Sequence, residues 1–319
     1  MVGLVASCDR TPPTPPPPAA PAPVMAPPAA PRGPTATLSD RISRAAADRV
    51  VAIGDLHGDL EITRRALRLA GAIDDADAWV GGSLVVVQTG DQIDRADDDR
   101  KVIDLLEKVR EGAKKAGGQL IVVNGNHEIM NVALDFRYVT RGAFVPFADF
   151  AIKEAPPNTP FAALAERGRA VAFAPGGVYA RKLAEQPIVM KVGDSVFVHG
   201  GILPKHVTYG LDRMNDETRA WMLGQRPEPP AIVVAEDAPI WTRAYAGQGA
   251  PDPCRDVTAA LDSLGARRMV IGHTVQKGGV THDCGDRLWR IDVGMSPYFG
   301  GPLEVLAIEK GEATVRRAK

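Results

Sequence analysis

Five times along this chain a short run of β-branched and aliphatic residues breaks off into a cluster of glycines and polar side chains. The stretches are VVAIGDLHGD (50–59), LVVVQTGDQIDR (84–95), LIVVNGNHEIMN (120–131), SVFVHGGI (195–202) and RMVIGHT (268–274). Runs that are apolar at successive positions are the pattern of strands buried on both faces. Each run then delivers carboxylate, imidazole or carboxamide groups at its carboxyl end. Between the first three runs the apolar residues change to helical spacing. Residues 59–71 place Leu60, Ile62, Ala66, Leu67, Leu69 and Ala70 on that period, and residues 98–116 place Val102, Ile103, Leu105, Leu106 and Val109. Strand, helix, strand, helix, strand predicts an α/β fold with a parallel sheet built from right-handed crossovers. In such sheets ligands bind beyond the carboxyl ends of the strands, where all five clusters would meet. Taken singly, each cluster reads as a turn, and Asn126 reads as a helix cap. Taken together they do not, because four of the six histidines (His57, His127, His199, His273) fall on these strand ends. The combination predicts a metal site.

Composition narrows the partners. A formal charge of -1 over 319 residues and only 5% aromatic side chains argue against a nucleic-acid partner. Twelve of the 27 prolines lie between Pro12 and Pro34, a segment that cannot build a core and reads as an extended tether. Ahead of it, Leu4, Val5, Ala6, Ser7 and Cys8 resemble the lipobox of bacterial lipoproteins, whose cysteine becomes the lipidated first residue of the mature chain. The apolar stretch before Cys8 is shorter than a signal sequence needs, and no basic residue precedes it. The expected organisation is therefore a signal remnant at 1–8, a Pro/Ala-rich tether at 9–37 and a catalytic domain at 38–319. A location in the bacterial cell envelope follows, with the membrane reached only through Cys8; a chance match would leave the protein in the cytoplasm.

The blocks GDLHGD, GDQIDR, GNHE, HGG and a later GH, in this order, resemble the calcineurin-like metallophosphoesterases and within them the phosphoprotein phosphatase group. The wider texture is similar to the bacterial Shewanella-like phosphatases: GNHEIMN continuing to RYVT, FAPGG before VHGGI, IWTRAY, and RIDVGMS. That resemblance implies an α/β fold with a β-sandwich flanked by helices and the site at the strands' carboxyl ends. It implies two divalent metal ions, with Asp55 and His57 on one, Asn126, His199 and His273 on the other, and Asp91 bridging both. Mixed oxygen and imidazole ligands suit Mn, Fe or Zn. A bridging hydroxide would attack phosphorus in line. By the same resemblance His127 would protonate the leaving oxygen, Asp94 would orient that imidazole, and Arg95 would grip the phosphate.

Two positions depart from the eukaryotic pattern. Asn124 stands where an arginine usually precedes GNHE, and Ala96 follows Arg95 in place of glycine. Arg243 or Arg169 would take over the missing phosphate contact, or either would be a structural ion-pair residue. The substrate expected is a phosphorylated protein, on tyrosine or on serine and threonine. The same blocks also serve dinucleoside polyphosphate hydrolases and small-molecule phosphatases, and an inactive tethered binding module is a third alternative. With Cys8 assigned to lipid, Cys254 and Cys284 remain as an even pair, expected to form a disulfide suited to an oxidising compartment.

Overall fold

The valine and isoleucine runs pair into two sheets rather than one. The structure is a computed structural model and describes residues 36–150, 164–246 and 253–318. One sheet contains β2 (Arg49–Ile53), β3 (Val85–Gln88), β4 (Gln119–Val122), β10 (Glu304–Glu309) and β11 (Glu312–Arg317), in the order β11-β10-β2-β3-β4. Here β2, β3 and β4 are parallel, and β10 runs antiparallel along the free edge of β2. The other sheet contains β1 (Ser43–Arg44), β5 (Val189–Val192), β6 (Ser195–Val198), β7 (Arg268–Ile271), β8 (Thr281–Asp283) and β9 (Leu288–Arg290), in the order β1-β5-β6-β7-β9-β8. The parallel sheet expected from the first three runs and the expected β-sandwich flanked by helices are both present. Three runs are parallel neighbours in the first sheet, and β6 and β7 are parallel neighbours in the second.

The reason lies in side-chain alternation. Val50, Ala52, Val85, Val87 and Ile121 face Met190, Phe197, Val270 and Trp289 of the other sheet. Their strand neighbours Val51, Ile53, Val86, Leu120 and Val122 face Ile62, Leu67, Val102 and Leu106 instead. Those four lie on the two crossover helices, α1 (Leu60–Leu69) and α2 (Asp99–Lys115). On the far side Val196, Val198, Met269 and Ile271 pack against Leu183, Val257 and Leu261. A helix–sheet–sheet–helix stack needs strands that are apolar on both faces, which an unbroken valine run provides. Asp59 starts α1 by accepting the Ile62 amide at 2.8 Å, the expected side-chain cap of a helix N-terminus.

Among the described residues no helix is long and apolar enough to cross a membrane. Cys8, the segment 1–8 and all of the expected tether up to residue 35 lie outside the described residues. Cys254 and Cys284 form a disulfide, with Cα atoms 5.2 Å apart, tying the helix Pro253–Ser263 to the turn between β8 and β9. Removing a link across 30 residues should cost about 3–4 kcal/mol on the chain-entropy reckoning. Denaturant unfolding of the double Cys→Ser variant checks this, and an unchanged midpoint would contradict it.

Candidate metal centre

The loops that follow β2, β3, β4, β6 and β7 meet where the two sheets abut. Four ligand candidates come from the first sheet (Asp55, His57, Asp91, Asn126) and two from the second (His199, His273). All six are buried. The backbone is bent hard to achieve this. His57, Asp91, Asp94, Arg95 and His273 all have positive φ, between 50° and 74°, a region that non-glycine residues enter at a cost of about 1–3 kcal/mol each. Five such residues on three loops of one site mean that the packing around them over-determines their conformation.

Each imidazole is fixed through its outer nitrogen. His199 Nδ1 lies 2.9 Å from the Thr89 carbonyl and His273 Nε2 lies 3.1 Å from the Trp241 carbonyl, so these nitrogens carry the protons. Their inner nitrogens face each other at 3.2 Å, with Asn126 Oδ1 3.0 Å and Asp91 Oδ2 3.2 Å from His199 Nε2. With His199 deprotonated at Nε2, four lone-pair atoms converge there, an arrangement that fits a cation. On the other side of Asp91, His57 Nε2 is 3.9 Å from Asp91 Oδ2 and 3.9 Å from Asp55 Oδ2. Those separations are longer than a hydrogen bond. Burial holds the His57 imidazole down to about 4 and that of His273 to about 3, so both are neutral and able to ligate at pH 7. Burial alone would raise Asp91, but the His199 and His127 imidazoles outweigh it and hold this carboxyl well below its ordinary range.

Helix α3 (Asn126–Val132) opens in the middle of the site, and its first three residues point three ways. Asn126 is the first helical residue, with Gly125 as its cap, so the capping role open to Asn126 in the sequence is not realised. A Cβ on Gly125 would lie 2.2 Å from Asp91 Oδ1, so only glycine lets α3 approach that carboxylate. The His127 amide donates to Asp91 Oδ1 at 3.1 Å, and the His127 ring donates from Nδ1 to Asp94 Oδ2 at 2.7 Å. Its Nε2 is thereby turned toward the cleft, 3.7 Å from Asp91 Oδ2. Burial disfavours charge on this ring, but the Asp91 charge and the Asp94 hydrogen bond prevail and raise it to about 9. His127 is therefore an imidazolium at neutral pH, a proton donor beside the ligand cluster.

Glu128 has a role that the sequence did not disclose. Its carboxylate accepts the amides of Asp91 (2.9 Å), Gln92 (2.9 Å) and Gly125 (2.7 Å), clamping the β3 and β4 loops together so that Asp91 and Asn126 face one another. Asn131, one turn after His127, donates to Asp94 at 3.0 Å.

The three arginines divide. Arg95 lines the cleft with its guanidinium 4.1 Å from the Tyr138 ring and 3.1 Å from the Tyr298 hydroxyl. Arg243 lines the same cleft, donating to Thr274 Oγ1 at 2.8 Å. Arg169 does not reach it. This side chain is fully buried, pairs with Asp94 (3.2 Å) and Asp99 (2.7 Å), and donates to Asn131 and to the Ala143 carbonyl. The phosphate contact considered for Arg169 is therefore corrected to its alternative, a structural ion pair that fixes Asp94 behind His127. Breaking such a buried pair leaves uncompensated carboxylates, so Arg169→Met should lose about 3–5 kcal/mol of stability in denaturant unfolding. Asn124 is also turned away, donating to the carbonyls of Leu183 and Gln186.

The cleft encloses about 260 Å³, with ligand candidates as its floor and Tyr138, Trp241 and Phe299 among its walls. The calcineurin-like phosphoesterase family model matches residues 48–277, which contain every one of these ligand candidates. The chain belongs to the calcineurin-like phosphoesterase family. It is a metallophosphatase, and its similarity is strong to the Shewanella-like branch. Shewanella-like protein phosphatase 2 of Arabidopsis thaliana is 39% identical over 295 residues, covering 82% of this chain and 75% of the plant protein. Shewanella-like protein phosphatase 1 of Plasmodium berghei is 27% identical over 265 residues, covering 80% and 69%. The cold-active protein-tyrosine phosphatase of a psychrophilic Shewanella species shares the fold with a TM-score of 0.68, at 22% identity and with 86% and 82% of the two chains covered.

Proposed function

We propose that the protein is a dinuclear phosphoprotein phosphatase that accepts phosphotyrosine, alongside phosphoserine and phosphothreonine. One observation carries the reading: His127, its Nδ1 held on Asp94 and its Nε2 turned into the cleft, stands at the edge of a cluster of carboxylate, carboxamide and imidazole groups between aromatic walls. Two divalent ions, one held by Asp55, His57 and Asp91 and one by Asp91, Asn126, His199 and His273, would draw charge off phosphate oxygens and lower the pKa of water. The chain's own groups do the rest. Arg95 and Arg243 approach the phosphate from the rim as charged donors. Asp94, held by Asn131 and Arg169, keeps the His127 Nδ1 proton in place so that the Nε2 proton is the one delivered to the leaving oxygen. Tyr138, Trp241 and Phe299 offer apolar faces to an aryl leaving group.

A kinetic panel tests the substrate class. Phosphotyrosine and phosphoserine peptides should be turned over with higher kcat/KM than diadenosine tetraphosphate, and the reverse order would establish the dinucleotide alternative. On the same panel Arg243→Ala should raise KM and weaken inhibition by free phosphate, whereas a change confined to thermal stability would make Arg243 structural. For location, the Ala6-Ser7-Cys8 stretch and the Cys254–Cys284 disulfide together favour the cell envelope. The mass of the mature N-terminus recovered from membranes is the check.

A further inference from the structure

A sixth strand ends in a chemically active group that the five-block pattern leaves out. β9 lies parallel to β7, the strand that carries His273, and two residues beyond its end stands Asp292. This side chain is 1% exposed and lines the same cleft as His57, Asp91 and His273. Its Oδ1 accepts the Gly294 amide at 2.9 Å, but its Oδ2 meets no N–H donor, and the side chain beside it is a second carboxyl, Asp55. The basic side chains of the cleft make their contacts elsewhere, Arg95 with Tyr298, Arg243 with Thr274 and His127 with Asp94.

The position of Asp292 is tightly held. Its carbonyl accepts the Gln276 amide at 2.7 Å, and the preceding Ile291 amide donates to the Ile271 carbonyl at 2.8 Å. A Cβ on Gly54 would fall 2.3 Å from the Ile291 oxygen and 3.2 Å from Asp292 Cα. The loop thus presses directly on the backbone that presents Asp55, with no side chain between them. Leaving a buried carboxylate oxygen unpaired is costly, and natural sites satisfy such oxygens with a donor or a cation.

We propose that Asp292 is a further carboxylate of the metal centre, serving the ion on the side of Asp55 and His57. The inference rests on the metal-centre reading above. A purely structural Asp292 would act through Oδ1, holding the Gly294 turn, and an asparagine oxygen would do that equally well. Asp292→Asn therefore separates the two roles.

The experiment compares wild type and D292N after stripping with EDTA and dialysis against graded MnCl2. Bound manganese per chain is read by mass spectrometry, and Tm is taken for the stripped and loaded states. Wild type should bind two ions. D292N should bind one of them about 10–100-fold more weakly, the usual effect of removing a supporting carboxylate from a metal site. Its stripped form should melt no lower than stripped wild type, because one of several crowded negative charges is gone, and its gain in Tm on loading should shrink. An unchanged manganese isotherm in D292N overturns the proposal. A lowered stripped Tm with the full manganese-induced gain also overturns it, and marks Asp292 as structural. Wild type that binds no manganese overturns the metal-centre reading as well.

Discussion

Asp91→Asn is expected to be the most damaging single substitution in the protein. Among the six ligand candidates the Asp91 carboxylate faces both groups of imidazoles, with Oδ2 3.2 Å from His199, 3.7 Å from His127 and 3.9 Å from His57. Its Oδ1 is tied to the His127 amide, so its orientation is fixed by the helix that carries Asn126. Asparagine keeps the shape but removes the charge and can turn an N–H toward three ring nitrogens. The loss of turnover on nitrophenyl phosphate should exceed the about 10²–10⁴-fold attributable to a general acid, and metal content per chain should fall in parallel. Retention of most activity would sink the shared-ligand assignment.

His127→Asn should show the opposite dissociation. Its ring lies against the candidate ligands, but its Nδ1 is committed to Asp94, so its removal leaves all six candidate ligand side chains in place. Metal content should stay near normal while turnover drops by about 10²–10⁴-fold on alkyl phosphates such as phosphoserine peptides. Nitrophenolate leaves with little need of a proton, so the loss on nitrophenyl phosphate should be much smaller. Equal losses for both leaving groups would count against His127 as the acid. Asp94→Asn should give the same pattern more weakly, since the imidazole would remain but lose its anchor.

What could be read from the sequence was the chemistry at strand ends, because strand and cluster are contiguous there. The two crossover helices were equally legible from their spacing, as observed for Leu60–Leu69 and Asp99–Lys115. Sheet membership was not legible, since a run apolar on both faces looks the same in either of two packed sheets. Arg169 stayed open between its two readings for a related reason. It lies in a weakly amphipathic helix, LAERGRAVAF, and its burial is decided by Asp94 in the loop after β3 and Asp99 at the start of α2, both distant in sequence. Glu128 stood in plain view inside GNHE, yet its partners are backbone amides, which carry no sequence signature. Asp292 could have been found by extending the strand-end rule one strand further, since β9 runs straight into Ile291, Asp292, Val293 and Gly294.

Because the first sheet carries four of the ligand candidates and the second carries two, the layer of apolar side chains between them acts as a gauge block. Val50, Ala52, Val85, Val87 and Ile121 on one side and Phe197 and Val270 on the other set how far His199 and His273 stand from Asp91 and Asn126. Close-packed interiors transmit changes of even one methylene. Substitutions there, such as Ala52→Val or Phe197→Leu, would therefore act as shims, changing the span across the centre and with it which ion fits best, without altering a single ligand.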